Sequence, residues 1–160
     1  MASFDQFITS LREEFGEQGA GKKFEVFCKW FLENDPEWSK TVHEVWLWSE
    51  YPNKWQRKDL GTDLVFRDND GLIWAVQAKC YDEKYPTTKD DMNTFLADSG
   101  RKKVDRRLWL QTTNKMAKEA SDTLTDQDKP VTVFNLNNFR DAQIDYPSSF
   151  TNLYQAKVKD

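Results

Sequence analysis

The segment from Gly61 to Lys79 constrains this chain more than any other. Gly61-Thr62-Asp63-Leu64-Val65-Phe66 runs to a turn at Asn69-Asp70-Gly71 and continues as Leu72-Ile73-Trp74-Ala75-Val76-Gln77-Ala78-Lys79. Leu72 to Ala78 is apolar at almost every position, which predicts a strand buried on both faces. A three-residue loop, a type I turn closed by Gly71 in the left-handed conformation, sets Asp68 opposite Leu72. Counting back, Asp63 falls opposite Gln77, and Lys79 projects from the same face two residues further on. The end of the hairpin thus gathers a carboxylate, an amide and an ammonium. Such groups are seldom buried unless they are paired or coordinate a metal.

Two readings of that cluster follow from its chemistry. In one, Asp63 and Lys79 form a buried salt bridge and Gln77 hydrogen-bonds a neighbour. In the other, the cluster serves phosphodiester hydrolysis, where a divalent cation polarises the phosphate and activates a water. Asp63 offers the hard oxygen that Mg²⁺ prefers. Gln77 adds a weaker, neutral amide oxygen, and Ala78 its main-chain carbonyl. Lys79 then offsets the charge that grows on the phosphorane, or orients the water.

The remaining elements are read from periodicity. Ser3 can cap a helix whose apolar stripe is Phe4, Phe7, Ile8, Leu11 and Phe15, ended by Gly16 and Gly19-Ala20-Gly21. A second helix carries Phe24, Phe27, Cys28, Phe31 and Leu32 and stops at Asn34-Asp35-Pro36. Glu25 borders its buried stripe. It either pairs with Lys29 at i+4 or reaches the hairpin end. Thr41–Ser49 alternates as a strand. Thr88 caps a helix with Met92, Phe95 and Leu96 inside and Gly100 at its end. Leu108–Leu110 is a short buried strand, and Thr113 or Asn114 can cap the helix behind it. Val131–Leu136 is a last strand, before an irregular segment anchored by Phe139, Ile144, Tyr146 and Phe150. The order α-α-β-β-β-α-β-α-β predicts an α/β domain, a mixed central sheet flanked by helices.

Length and charge narrow the partners. A chain of 160 residues is expected to form one domain, residues 1–160. Net charge is −4, so any nucleic-acid contact must come from local patches. Lys54, Arg57 and Lys58 around Trp55 form one such patch. Arg101, Lys102 and Lys103, with Arg106 and Arg107, form a second. Two cysteines provide neither a disulfide framework nor zinc spacing, which fits a reducing cytoplasm. One histidine excludes His-pair hydrolases and zinc proteases. No stretch has the length of a membrane span or the form of a signal peptide.

Gly-Thr-Asp63, followed across a strand, turn and strand by Gln77-Ala78-Lys79, resembles the PD-(D/E)XK nuclease superfamily, and its Mrr-like restriction endonuclease branch in particular, where Gln-x-Lys is frequent. Gly21-Lys22-Lys23-Phe24-Glu25 is similar to that branch's first core helix. Leu108 to Lys115 is similar to its later strand. Asn137 to Tyr146 resembles the tail of nuclease domains that open type ISP helicase-nuclease enzymes. The resemblance spans about residues 20 to 147. It implies a restriction-endonuclease-like core and a type I-like, Mg²⁺-dependent DNA endonuclease, with Mn²⁺ able to substitute. It implies cleavage of double-stranded DNA to a 5′-phosphate and a 3′-hydroxyl. Asp63 and Gln77 would be metal ligands, Lys79 the catalytic lysine and Glu25 a contribution from the helix. Thr62 stands where the motif has proline. The resemblance further implies the N-terminal part of a longer restriction enzyme used in phage defence. Its helicase and target-recognition modules would choose the site, and a transient dimer would cut both strands. Nothing resembles a base-reading module, so no sequence recognition by this domain is expected. The competing readings are a non-catalytic DNA-binding or interaction module on the same fold, and a junction or RNA nuclease.

Overall fold

A computed structural model of the chain describes residues 2–56 and 61–153. Arg57 and Lys58 of the first basic patch lie outside the described residues. Helix α1 spans Phe4–Asn34. A reciprocal capping box starts it: Ser3 Oγ accepts from the Gln6 N–H and Gln6 Oε1 from the Ser3 N–H, satisfying donors the first turn leaves unpaired. The two helices expected from spacing are one element with a break at Gly16, whose φ of 74° and ψ of 173° depart from the helix. Gly19 to Gly21 continue as helix. Asp35 ends α1 and its carboxylate accepts from the Glu37 and Trp38 N–H groups.

Five strands form one sheet in the order of the sequence: β1 (Val42–Leu47), β2 (Leu64–Asp68), β3 (Ile73–Lys79), β4 (Arg106–Gln111) and β5 (Val131–Phe134). β1, β2 and β3 are antiparallel neighbours, while β3, β4 and β5 are parallel. The parallel pairs need crossovers. Helices α2 (Lys89–Ser99) and α3 (Lys118–Thr123) supply them. Both crossovers advance in the same direction, so right-handedness puts α2 and α3 on one face. There they cover Ala75, Trp109 and Val104. α1 takes the opposite face, where Leu64, Phe66, Trp74, Val76, Leu108 and Leu110 meet its phenylalanines. Phe27 is the hub of that layer, 4.5 Å from Phe7 and 5.7 Å from Phe24 between ring centroids.

Two expectations for the C-terminal third are corrected. Neither Thr113 nor Asn114 caps α3, which starts behind Ala117 without a side-chain cap. Residues 115–117 instead run beside the loop before α2, where Thr87 exchanges main-chain bonds with Lys115 and Ala117. Asn114 Oδ1 accepts from the Asn137 N–H, in the first turn of a helix that spacing did not indicate, α4 (Leu136–Asp141). Pairing between distant segments, which periodicity does not encode, decided the first; α4 starts on a local capping box between Asn135 and Asn138.

Candidate active site

The hairpin turn is held by its own sequence. Asp68 is buried, and its carboxylate accepts from the Asp70 N–H, the Leu72 N–H and Trp74 Nε1. Asp68 N–H bonds Leu72 O at 2.9 Å, and Gly71 has φ +85°. The register is the one the three-residue loop dictates, with Arg67 opposite Ile73 and Leu64 opposite Val76.

Asp63 follows at the end of that ladder, 7% exposed, beside the 5% exposed Gln77. Gln77 Nε2 donates to Asp63 Oδ2 at 2.5 Å, and the Ala78 N–H donates to the same oxygen at 3.0 Å. Main-chain groups alternate along a strand. The Lys79 carbonyl accepts from Thr112 on the β4 side. The Ala78 N–H and carbonyl therefore face β2, where the Asp63 carboxylate stands in for the next ladder acceptor. Lys79 is half-buried and lines one cavity of about 330 Å³ with Asp63 and Gln77. No described acidic group lies within the 4.0 Å ion-pair distance of its ammonium. The buried Asp63–Lys79 salt bridge does not form. Hydrogen bonds from the amide and the main chain satisfy Asp63 in its place.

Glu25 comes to the same place from α1. It lines an adjoining cavity of about 430 Å³ with Asp63, Lys22, Lys23 and Lys54. The i+4 pairing with Lys29 is replaced by two others: Lys22 lies 3.7 Å from Glu25, and Lys29 lies 3.2 Å from Glu50. Beneath the site, burial pushes the Cys28 thiol well up, and the nearby Cys80, Asp63 and Glu25 add to the shift. Cys28 thus stays a neutral floor residue.

Gly61 leads the chain into Asp63 with φ +141°, and a Cβ there would stand 3.0 Å from the Thr94 carbonyl oxygen of α2. Both features exclude a side chain. Gly61→Ala is expected to destabilise the fold by about 1–3 kcal/mol. Calorimetric unfolding checks it, at roughly 2–4 °C of Tm per kcal/mol. An unchanged Tm would show that α2 does not need this close approach.

The cationic residues divide. Lys54 lines the Glu25 cavity and donates to the Tyr51 carbonyl at 2.9 Å. Arg101, Lys102 and Lys103 are exposed in the turn after α2. That turn lies at the far end of an 11-residue helix from the cavity, about 16 Å away at 1.5 Å per residue. Arg107 is 3% exposed and bonds the Lys129 carbonyl, so it is a core residue and no part of a surface patch. Arg106 lies 5.8 Å from the Trp74 ring centre. Sequence spacing missed Lys22, which lines both cavities, and Asp91, which faces Lys79 from α2. Asp91 was legible only as part of a helix cap.

Among the described residues no three His, Cys, Asp or Glu side chains converge closely enough to hold a metal ion by themselves. The donor set nevertheless fits Mg²⁺, which keeps several waters and needs only one or two carboxylates beside substrate phosphate. Asp63 gives a carboxylate, Ala78 a carbonyl on the same side, and Gln77 an amide. That amide turns Nε2 toward Asp63; rotating it end for end presents Oε1 there within the same volume.

A helix-flanked mixed sheet, with an Asp and a Gln-x-Lys gathered at the end of its central hairpin, defines a PD-(D/E)XK nuclease domain of the Mrr-like kind. A family model described as restriction endonuclease matches residues 33–156. The chain belongs to that restriction endonuclease family and is a DNA nuclease domain. Among solved structures, it is similar to the ATP-dependent type ISP restriction-modification enzyme LlaBIII bound to DNA, with 26% identity and TM-score 0.71 over 87% of this chain. It shares its fold with the DNA modification-dependent restriction endonuclease AspBHI, at 14% identity and TM-score 0.59 over 99% of this chain. It also shares the fold of MspJI, solved with a 27-mer oligonucleotide, at 17% identity and TM-score 0.56 over 100% of this chain. The chain spans 9%, 42% and 38% of those three proteins respectively. No curated protein sequence matches it. No helix among the described residues is long and apolar enough to cross a membrane.

Proposed function

We propose that this domain cleaves double-stranded DNA with a divalent metal, Mg²⁺ or Mn²⁺, held by Asp63, Gln77 and the Ala78 carbonyl. The observation that carries this reading is the meeting of Asp63, Gln77 and an ammonium without an ion-pair partner among the described residues in one open cavity. The metal, when bound, polarises the scissile phosphate and makes its water more acidic. Lys79 holds its positive charge where the phosphorane gains negative charge. Glu25 adds a second carboxylate at the rim. Lys22 and Lys54 receive the flanking DNA phosphates, and Arg101, Lys102 and Lys103 a more distant stretch of backbone. Arg57 and Lys58 join them as sequence-level candidates.

The domain, residues 1–160, works within a longer restriction enzyme that carries a motor and a target-recognition module. The similarity to the ATP-dependent type ISP enzyme supports this reading. Such modules select the site, and two domains meeting transiently cut both strands. The test is cleavage of supercoiled plasmid. The protein is expected to nick or linearise it with Mg²⁺ or Mn²⁺ and to leave it intact with EDTA. Intact plasmid under all conditions, with DNA affinity retained, would favour a non-catalytic DNA-binding module.

A further inference from the structure

We infer that Asp91, on the first turn of α2, is a further carboxylate of the metal site, beside Asp63 and Glu25, and acts on the metal through a water; this rests on the nuclease reading above. Strand β3 has Gln77 where a two-acid site has Asp or Glu, so Asp63 is the anion that the hairpin provides at this end, Asp68 and Asp70 lying at its turn. The missing charge returns from across the cavity. Asp91 lines the same space as Asp63, Gln77 and Lys79.

Its placement is built into the packing of α2. Asp91, Thr94 and Asp98 lie on one stripe of the helix, at i, i+3 and i+7. Thr94 meets Gly61 main chain to main chain, and Asp98 accepts from Trp55 Nε1 and Gln56 Nε2. The stripe is therefore fixed against the segment that delivers Asp63, and its first member falls at the mouth of the cavity. Asp91 itself is oriented. The Tyr81 hydroxyl donates to Asp91 Oδ2 at 2.5 Å. Tyr81 is held in turn by Thr112, which accepts from its N–H, and by Arg12, which donates to its carbonyl. Burial, and then the Asp91 carboxylate, raise the Tyr81 hydroxyl, so it remains a donor. Asp91 Oδ1 has no protein partner among the described residues, which leaves one oxygen to receive a water.

Asp91 is a positioning residue in this scheme, as outer-sphere partners of metal sites are. The test is calorimetric titration of the DNA-free protein with Mn²⁺, comparing wild type, Asp91→Asn, Asp91→Glu, Tyr81→Phe and Asp63→Asn. Asp91→Asn keeps the shape and can still accept from Tyr81, so the fold is retained. Its Mn²⁺ affinity is expected to fall about 10-fold. Asp91→Glu recovers part of that loss, and Tyr81→Phe loses less than Asp91→Asn. Equal affinities of wild type and Asp91→Asn, with Asp63→Asn weakened, overturn the role of Asp91 and leave the nuclease reading standing. Equal affinities in all variants, or no binding by wild type, overturn both.

Discussion

Lys79→Ala is expected to lower the rate of plasmid cleavage by at least about 100-fold, the scale for removing one preorganised charge from a transition state. The protein should fold as before. The ammonium has no ion-pair partner among the described residues, and its side chain is half-buried at a cavity rim. Its removal breaks no pair and leaves no charge stranded, so stability should change by no more than about 0.5 kcal/mol. This combination separates the two readings of the hairpin end. Breaking a buried Asp63–Lys79 salt bridge would cost about 3–5 kcal/mol. Single-turnover cleavage and thermal unfolding, measured on the same preparations, give the answer. A stable variant that still cuts at the wild-type rate removes Lys79 from the chemistry.

Asp63→Asn is expected to be the more severe change. A metal acting as a Lewis acid supplies several kcal/mol of transition-state stabilisation. Losing its only strand carboxylate should therefore cost about 1,000-fold or more in cleavage. The fold also pays something here, unlike at Lys79. Asp63 Oδ2 accepts from both Gln77 and Ala78. An asparagine oxygen in the Oδ2 position can keep both bonds, but it accepts them as a neutral amide and places an NH₂ where the other carboxylate oxygen stood. Hydrogen bonds to a charged acceptor are worth about 1.5–3 kcal/mol, and the neutral replacement forfeits part of that. Mn²⁺ titration and unfolding measured together resolve the two effects. Wild-type affinity in Asp63→Asn would mean that the metal sits elsewhere.

Much of the fold was legible because local rules fixed it. The apolar run from Leu72 to Ala78 is long enough for a strand and too apolar for a surface one. α1 was read correctly in its stripe, its capping and its break at Gly16, but Gly19 to Gly21 were also read as ending it. Gly16 alone leaves helical geometry, while a helix packed this deeply retains Gly19 and Gly21. Tertiary burial outweighs the cost of roughly 1 kcal/mol per glycine. α4 escaped notice because six residues carry too little periodicity; Asn135 and Asn138 cap it reciprocally, and Asn114 from a distant loop accepts one more N–H of its first turn. Arg107 was read as part of a basic run. It is the buried member of the Arg106–Arg107 pair that opens β4, which a charged pair at a strand start does not reveal.

The sequence by itself determined the register of the hairpin, and with it the meeting of Asp63, Gln77 and Lys79. The turn length and the two-residue period of a strand act over neighbouring residues, so they can be counted. Only the tertiary structure decided what else stands at that end. Right-handed crossovers put α2 on the face opposite α1 and swung Asp91 toward Lys79. The packing of α1 brought Lys22 and Glu25 over the end of β2. The same packing left Arg101 to Lys103 a helix length away. Which side of a sheet an element covers depends on handedness and on burying both faces of the central strands, and spacing along the chain carries no record of either.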